Sequence, residues 1–325
     1  MNKWQITEQN RLSGTTTTEN LQKVDEVKVK TTKCYISTID LEKYGNLNDT
    51  YPIVPCTIAV GQIVESLNNN DYLSKGSKVF LSPSFAINNE GYLKDFVVLP
   101  KTEVFALPKV ENENKVTYLV SESDAMFLSH LSIAISVIDK LNVDKGNHVA
   151  ILGGSYLGNI IAQLLSYYQS VPIIIDNDDD RLELARKTNV YYTIKNNKDL
   201  ENEINSITGG RKCSKVIYVT DSGCEINAVS KVASNNASVV VAGISSTKTK
   251  LSCNFALDKQ LNISFINDIT ENIVSGMNLL RQKAIDLSLF DLPVYKFEYA
   301  PKHFENAFAK IDGKSEDAEF IIDML

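Results

Sequence analysis

Apolar positions follow three regimes along the chain. Up to residue 120 they come as short alternating segments: Val27, Val29 and Thr31, then 58–65, 78–82 and 94–99, separated by Gly, Pro and Asn. Alternation between turn residues predicts strands. From 121 the period lengthens. Helical spacing over 122–140 leads to an apolar run at 148–152 and a helix over 158–169. A strand at 172–176, a helix at 179–188 and an apolar run at 190–194 follow, with further strands at 215–220, 238–243 and 263–266. Strands alternating with helices predict a doubly wound parallel sheet. Residues 271–286 are spaced as a helix, and the tail reads as a strand over 293–299 and a helix over 302–311. The expected fold is α/β: a β-rich stretch over 1–120, a doubly wound unit over 121–270, and a tail of helix, strand and helix.

The junction near residue 153 carries the first chemistry. Val149-Ala-Ile-Leu-Gly-Gly-Ser-Tyr-Leu-Gly158 is an apolar run meeting a glycine pair, with a third glycine opening a helix. A second apolar run, Val171-Pro-Ile-Ile-Ile, ends in Asp176. This is the outline of a dinucleotide-binding βαβ unit. Gly153 allows the sharp turn and Gly158 the close packing of helix on strand. Between them, Gly154, Ser155, Tyr156 and Leu157 bring the helix N-terminus to a pyrophosphate. Ser155 stands where a Gly-x-Gly-x-x-Gly loop has its middle glycine, so it either donates to the phosphates or crowds them. Asp176 is placed to receive the adenosine ribose hydroxyls and to repel a 2′-phosphate, which favours NAD(H) over NADP(H). Asn177-Asp-Asp-Asp180 adds negative charge, and Arg181 is the basic group close by in sequence. Thr220 and Gly243 end later strands and are further cofactor candidates.

Composition narrows the partners. Charged residues make up 22% of the 325 and the net charge is −7, with Lys and Arg scattered, so nothing points to nucleic acid. No apolar run is long enough to span a bilayer, and the polar, Thr-rich N-terminus has no signal-peptide core. Cys34, Cys56, Cys213, Cys224 and Cys253 are odd in number and never form Cys-x-x-Cys. They predict a reducing cytoplasmic setting and no structural zinc. The expected partner is a small molecule.

Taken in order, these segments resemble the medium-chain dehydrogenase/reductase superfamily of alcohol, sorbitol and threonine dehydrogenases. Val27-Lys-Val-Lys-Thr-Thr-Lys-Cys-Tyr-Ile-Ser-Thr-Ile-Asp40 is similar to the strand leading into Gly-Ile-Cys-Gly-Thr-Asp, and Pro55-Cys-Thr-Ile-Ala-Val-Gly61 to Gly-His-Glu-x-x-Gly. Lys75-Gly-Ser-Lys-Val79, Gly91-Tyr-Leu-Lys-Asp-Phe96, Arg181-Leu-Glu-Leu-Ala185, Ser222-Gly223, Val239-Val-Val-Ala-Gly243 and Phe304-Glu-Asn-Ala-Phe308 follow in register. The resemblance implies a GroES-like β-barrel catalytic domain from 1–120 and 271–325, a Rossmann domain over 121–270, and a homo-oligomer of two or four copies.

It also implies a metal whose ligands are missing here. Ser37 takes the position of the ligand Cys, Thr57 that of the His and Ile58 that of the nearby Glu. Ser129-His130 replaces a Glu-Pro pair, Ile39 replaces the relay hydroxyl, and the four-cysteine lobe is absent. Neutral hydroxyls are poor zinc ligands, so neither zinc site is expected. A set drawn from Cys34, Cys56 and His130 is the alternative. Negative charge developing on a substrate oxygen then needs hydroxyl donors, for which Ser37, Thr57 and Tyr35 are the candidates, with Thr38 beside them. The bland reading makes Ser37 and Thr57 fillers of a vacated site. Lys33 and Asp40 read as proton sources or as salt-bridging residues, and His130, His148 and His303 as ordinary polar positions. Three functions stay open: a zinc-independent NAD(P)(H) oxidoreductase acting on a small carbonyl compound or an activated C=C bond, a non-catalytic dinucleotide-binding subunit or sensor, and a reductase of dehydroamino acids in a modified peptide.

Overall fold

A computed structural model describes residues 2–17, 20–46, 50–67, 72–88, 90–112, 115–220, 224–243, 251–312 and 318–325. Nine strands come first: β1 (Asn2–Glu8), β2 (Arg11–Thr16), β3 (Glu26–Ile36), β4 (Ile58–Ser66), β5 (Lys78–Leu81), β6 (Phe96–Pro100), β7 (Val104–Ala106), β8 (Lys109–Asn112) and β9 (Lys115–Tyr118). Six alternate with helices: β10 (His148–Leu152), β11 (Val171–Asp176), β12 (Tyr192–Lys195), β13 (Cys213–Val219), β14 (Ala233–Ala242) and β15 (Asn262–Ile266). Two short ones, β16 (Val294–Lys296) and β17 (Phe320–Asp323), lie in the tail.

Internal contacts divide the chain into two units, Met1–Ser129 with Asp291–Leu325, and His130–Phe290. The hydrophobic pattern alone places these seams at 120/121 and 270/271. Side-chain bonds move both. Glu122 accepts from Thr32 Oγ1 at 2.7 Å and from Lys78 Nζ at 2.9 Å, which ties its segment to the first unit. Asn272 donates from its backbone N–H to Ser132 Oγ and from Nδ2 to Ser136 Oγ, and Gln163 pairs with the backbone of Asp286. These bonds keep 271–290 with the second unit.

The first unit is organised on a seven-stranded sheet in the order β16-β17-β3-β4-β5-β7, with β6 also pairing β3. β3 pairs antiparallel with β4, β6 and β17. Its inward residues Val27, Val29, Cys34 and Ile36 are buried with Ile63, Val79, Leu81, Tyr92 and Leu93. The tail completes this core. Phe304, from the helix Ala300–Asp312, packs edge-on against Phe320 of β17 with ring centres 5.7 Å apart, and both are buried with Tyr44 and Leu41. Two antiparallel ribbons, β1-β2 and β8-β9, stand outside the main sheet.

The second unit is a six-stranded sheet in the order β12-β11-β10-β13-β14-β15, all its pairs parallel. Its strands are continuous apolar runs because both faces are covered. The chain leaves β10 first to one side and then returns to β13 on the other. The C-terminal edge between β10 and β13 is therefore the crossover at which open α/β sheets take ligands. The helix after β10 spans Tyr156–Tyr167, beginning before the expected 158 because Ser155 serves as its N-cap residue. The expected helix over 122–140 is broken into Glu122–Ala125 and Leu128–Leu141. Ser222 and Gly223 lie outside the described residues. Among the described residues no helix is long and apolar enough to cross a membrane.

Truncating Phe304 tests the role of the tail. Phe304→Ala should cost about 3–5 kcal/mol of unfolding free energy, the usual range for emptying a buried phenylalanine site. Urea denaturation checks it; a loss under about 1 kcal/mol would mean that the tail does not belong to this core.

Candidate functional site

Two groups of residues have the chemistry of a site, one in each unit. In the second unit the loop after β10 is fixed by sterics. Gly153 has φ of +120°, and its N–H donates to Ile175 O at 2.8 Å. A Cβ on Gly158 would sit 1.9 Å from Gly153 O, so only glycine lets the helix start this close to the strand. A Cβ on Gly154 would meet Ile174, Arg181 and Asp176 at 3.2–3.4 Å. Ser155 has φ of −57°, which any residue adopts, so the missing middle glycine costs no backbone strain. Leu157 is buried and packs as part of the core, while the Tyr156 ring lies tilted at 37° to that of Phe290 with ring centres 4.8 Å apart.

Asp176 is buried at the end of β11. One carboxylate oxygen accepts from Gly154 N–H at 2.6 Å and the other from Asp178 N–H at 2.8 Å. Arg181, also buried, brings Nη1 to 3.8 Å from the first. Asp176 thus shapes the loop as well as closing the strand. Across the crossover, Thr220 follows β13 and Gly243 follows β14. Gly243 has φ of +136°, and a Cβ there would fall 2.2 Å from Thr220 Oγ1. That hydroxyl is buried and has no hydrogen-bond partner among the described residues. A close backbone approach beside an unsatisfied donor fits a ligand with polar groups at this edge.

In the first unit, β3 runs into the helix Thr38–Gly45 through Ser37. Asp40, in the first turn, turns back: one oxygen accepts from Ser37 N–H at 3.1 Å and from Ser37 Oγ at 2.9 Å. Its other oxygen accepts from Cys56 N–H at 2.8 Å. The carboxylate therefore joins the two segments that carry Ser37 and Thr57. Burial raises its pKa, opposed by the bonds from Ser37 and Cys56 and by the charge of Lys43. Cys56 takes the left-handed φ of +78°, and its thiol is pushed well up by burial and by neighbouring Cys34. The Thr57 hydroxyl enters no hydrogen bond among the described residues.

Tyr35 is placed differently from the two aliphatic hydroxyls. Its ring is fully buried, and its OH donates to Glu319 Oε2 at 2.5 Å. Glu319 also accepts from Thr38 N–H and Oγ1, both at 3.4 Å. Tyr35 thus anchors the tail to the start of the helix. Lys33 donates to Ser123 Oγ at 3.1 Å. His130 is half-buried, and its pKa is pushed down to about 4 by burial, so it is neutral near pH 7. His303 lies flat against Tyr295 at 3.5 Å.

The donors do not suit a catalytic metal. Ser37 spends its proton on Asp40, Thr57 offers a neutral hydroxyl and Ile58 offers none. Among the described residues no three His, Cys, Asp or Glu side chains gather as a metal-holding group. Asp40 and Glu319 were the residues hardest to foresee as organisers of this region. Ser37-Thr-Ile-Asp40 does have the spacing of a capping box, whereas nothing local marks Glu319 as the partner of Tyr35.

No protein-family model matches the chain. An uncharacterised zinc-type alcohol dehydrogenase-like protein of Haemophilus influenzae is 25% identical over 172 residues, covering 53% of this chain and 50% of that relative. The chain thus matches about half the length of that curated relative. Among solved structures, an Escherichia coli oxidoreductase/dehydrogenase of unknown specificity superposes with a TM-score of 0.84 at 13% identity, over 100% of this chain and 99% of the other. An alcohol dehydrogenase of Escherichia coli CFT073, solved with NADH, gives 0.81 at 19% identity over the same shares. The fold is that of a dehydrogenase built on a dinucleotide-type sheet. More particularly, the relatives and structural neighbours are alcohol dehydrogenase-like proteins of the medium-chain dehydrogenase/reductase kind.

Asp40 gives a pH test. Its pKa is raised in the folded protein, so its favourable contribution is fully present below the unfolded carboxylate value near 3.8. That contribution is lost as pH rises through the higher folded value. Replacing it by the uncharged Asn should remove this slope, so that stability of Asp40→Asn falls less than wild type from about pH 4 upward. Urea midpoints measured across pH 4–8 check it; parallel curves for the two proteins would refute the burial argument.

Proposed function

We propose that the protein is an NAD(H)-dependent oxidoreductase working without catalytic zinc, on a small carbonyl or hydroxyl compound or on an activated C=C bond. The observation that carries this reading is the glycine loop at the end of β10, with Thr220 and Gly243 following β13 and β14 at the same edge of the parallel sheet. Gly153, Gly154 and Ser155, with the N-terminal turn at Tyr156, would hold the pyrophosphate. Gly158 keeps that turn against β10. Asp176 and Arg181 would meet the adenosine ribose, and Thr220 with Gly243 the far end of the dinucleotide. When bound, a nicotinamide ring supplies or takes up the hydride.

The acid at the end of β11 supports NAD(H) over NADP(H), since a 2′-phosphate would meet the Asp176 carboxylate. Asp176→Ala should weaken NADH binding and narrow the preference. It should also loosen the loop, because Gly154 and Asp178 lose their acceptor. Fluorescence titration with NADH and NADPH checks this. Tighter NADPH binding by the wild type would overturn the cofactor assignment, and no binding of either would leave the non-catalytic fold as the better description.

The metal-free part has its own measurement. Elemental analysis of dialysed protein should return far less than one zinc per chain, and chelators should leave the NADH titration and any turnover unchanged. Zinc at one equivalent, lost together with activity, would end the zinc-independent reading.

A further inference from the structure

We propose that Lys259 is a modification site of the second unit, a nucleophilic amine that takes an acyl group from an acyl phosphate. The site goes beyond the oxidoreductase reading and does not depend on it. It lies at the end of the parallel sheet opposite the glycine loop, where β13 begins at Cys213 and β14 at Ala233, two residues paired in register. Lys259 follows the helix Cys253–Asp258 and returns to this edge. Its Nζ donates to Ser230 O at 2.7 Å and to Ala233 O at 2.6 Å. Its backbone carbonyl accepts from Asn236 N–H at 2.8 Å, which fixes the residue on β14. Lys212, one residue before Cys213, brings its own amine into hydrogen-bonding contact with that of Lys259. Lys212 is itself held in place. Its backbone N–H donates to the buried Thr208 Oγ1 at 2.9 Å, and its Nζ to Glu201 Oε1 at 2.5 Å.

The hydrogen bonds decide which proton state fits. A charged lysine has three N–H donors and no acceptor. At Lys259 two of those donors go to carbonyls, and a third would face the Lys212 ammonium, which has no lone pair to offer. A neutral Lys259 keeps both carbonyl bonds and accepts from Lys212, so both amines find partners. Burial pushes the Lys259 pKa down, the charge and contact of Lys212 push it further, and Glu201 opposes them. A partly desolvated amine beside another cation is a recurrent way of making lysine nucleophilic. Glu201 also gives Lys212 a second partner, so the Lys259 lone pair can be released to an electrophile.

The surroundings select that electrophile. Lys231 is a further cation acting on Glu201, and its Nζ reaches Asn197 O at 3.5 Å. An aldehyde would turn Lys259 into a protonated imine beside Lys212, and like charges disfavour that. An acyl phosphate instead brings negative charge to Lys212 and Lys231 and leaves an uncharged amide. The Lys259 lone pair forms the bond to the acyl carbon, and the C–O bond to phosphate breaks with its electron pair on the phosphate. The proton lost by nitrogen passes to the departing phosphate or to water. The amide keeps one N–H for a carbonyl acceptor.

The full chain is treated with acetyl phosphate and, in parallel, with the uncharged N-hydroxysuccinimide ester of acetic acid. Acylated lysines are quantified by peptide mass spectrometry. At pH 7 Lys259 should react at least about tenfold faster than the exposed Lys145 with both reagents. That advantage should shrink as the pH nears about 10.4, where an ordinary lysine is half neutral. Lys212→Gln should slow both reactions at Lys259. Lys231→Gln should slow the acetyl phosphate reaction and leave the ester reaction unchanged. If Lys212→Gln does not fold, the pH profile of the wild type decides. A Lys259 no faster than Lys145 overturns the proposal, as does an advantage that stays constant with pH. Fast labelling by the ester without any advantage towards acetyl phosphate overturns the choice of electrophile, as does equal slowing of both reagents in Lys231→Gln.

Discussion

The buried carboxylate of Asp40 is the point on which the arrangement around Ser37 and Cys56 depends. It lies between a helix start and a turn sixteen residues away, and receives N–H groups from both. Buried charges persist where hydrogen bonds replace their hydration. Removing this one would leave Ser37 N–H and Cys56 N–H without their acceptor in a site closed to water. A metal ion tying two loops together does so through strong, short bonds to side chains. Here a side chain does it through bonds to the backbone, which leaves Ser37 and Thr57 placed but chemically neutral.

Asp176 does the same in the other unit. It too is buried and accepts two backbone N–H groups, one from the glycine loop and one from the turn after β11. In both places a buried acid shapes a turn first, and any contact with a ligand is added to that task. This double use explains why substitution of either acid should be read through stability as well as through binding.

The parts legible in the sequence were those governed by local sterics. Gly153 and Gly158 could be assigned because a turn this tight admits no side chain, and the alternation of apolar runs with helical spacing revealed the parallel sheet. The helix Thr38–Gly45 went unread because it is short and follows β3 without a break, although Ser37 and Asp40 have capping spacing. Tyr35 looked like a candidate donor, but its partner Glu319 lies 284 residues away, and no local pattern reports such a contact. The seams between units were displaced for a similar reason: Glu122 and Asn272 are polar residues whose long-range bonds override the periodicity around them.

The tail has a consequence for how the chain is made. β17 pairs with β3, and Phe304 and Phe320 sit in the core that β3 lines. The segment His130–Phe290 intervenes between those partners. Domains emerging from a ribosome fold in the order in which their contacts become available. The dinucleotide-type sheet can therefore close while β3, already able to pair with β4 and β6, still lacks β17 and the apolar side chains of the tail. The core lined by β3 thus spans both ends of the chain and is completed only when the tail is present.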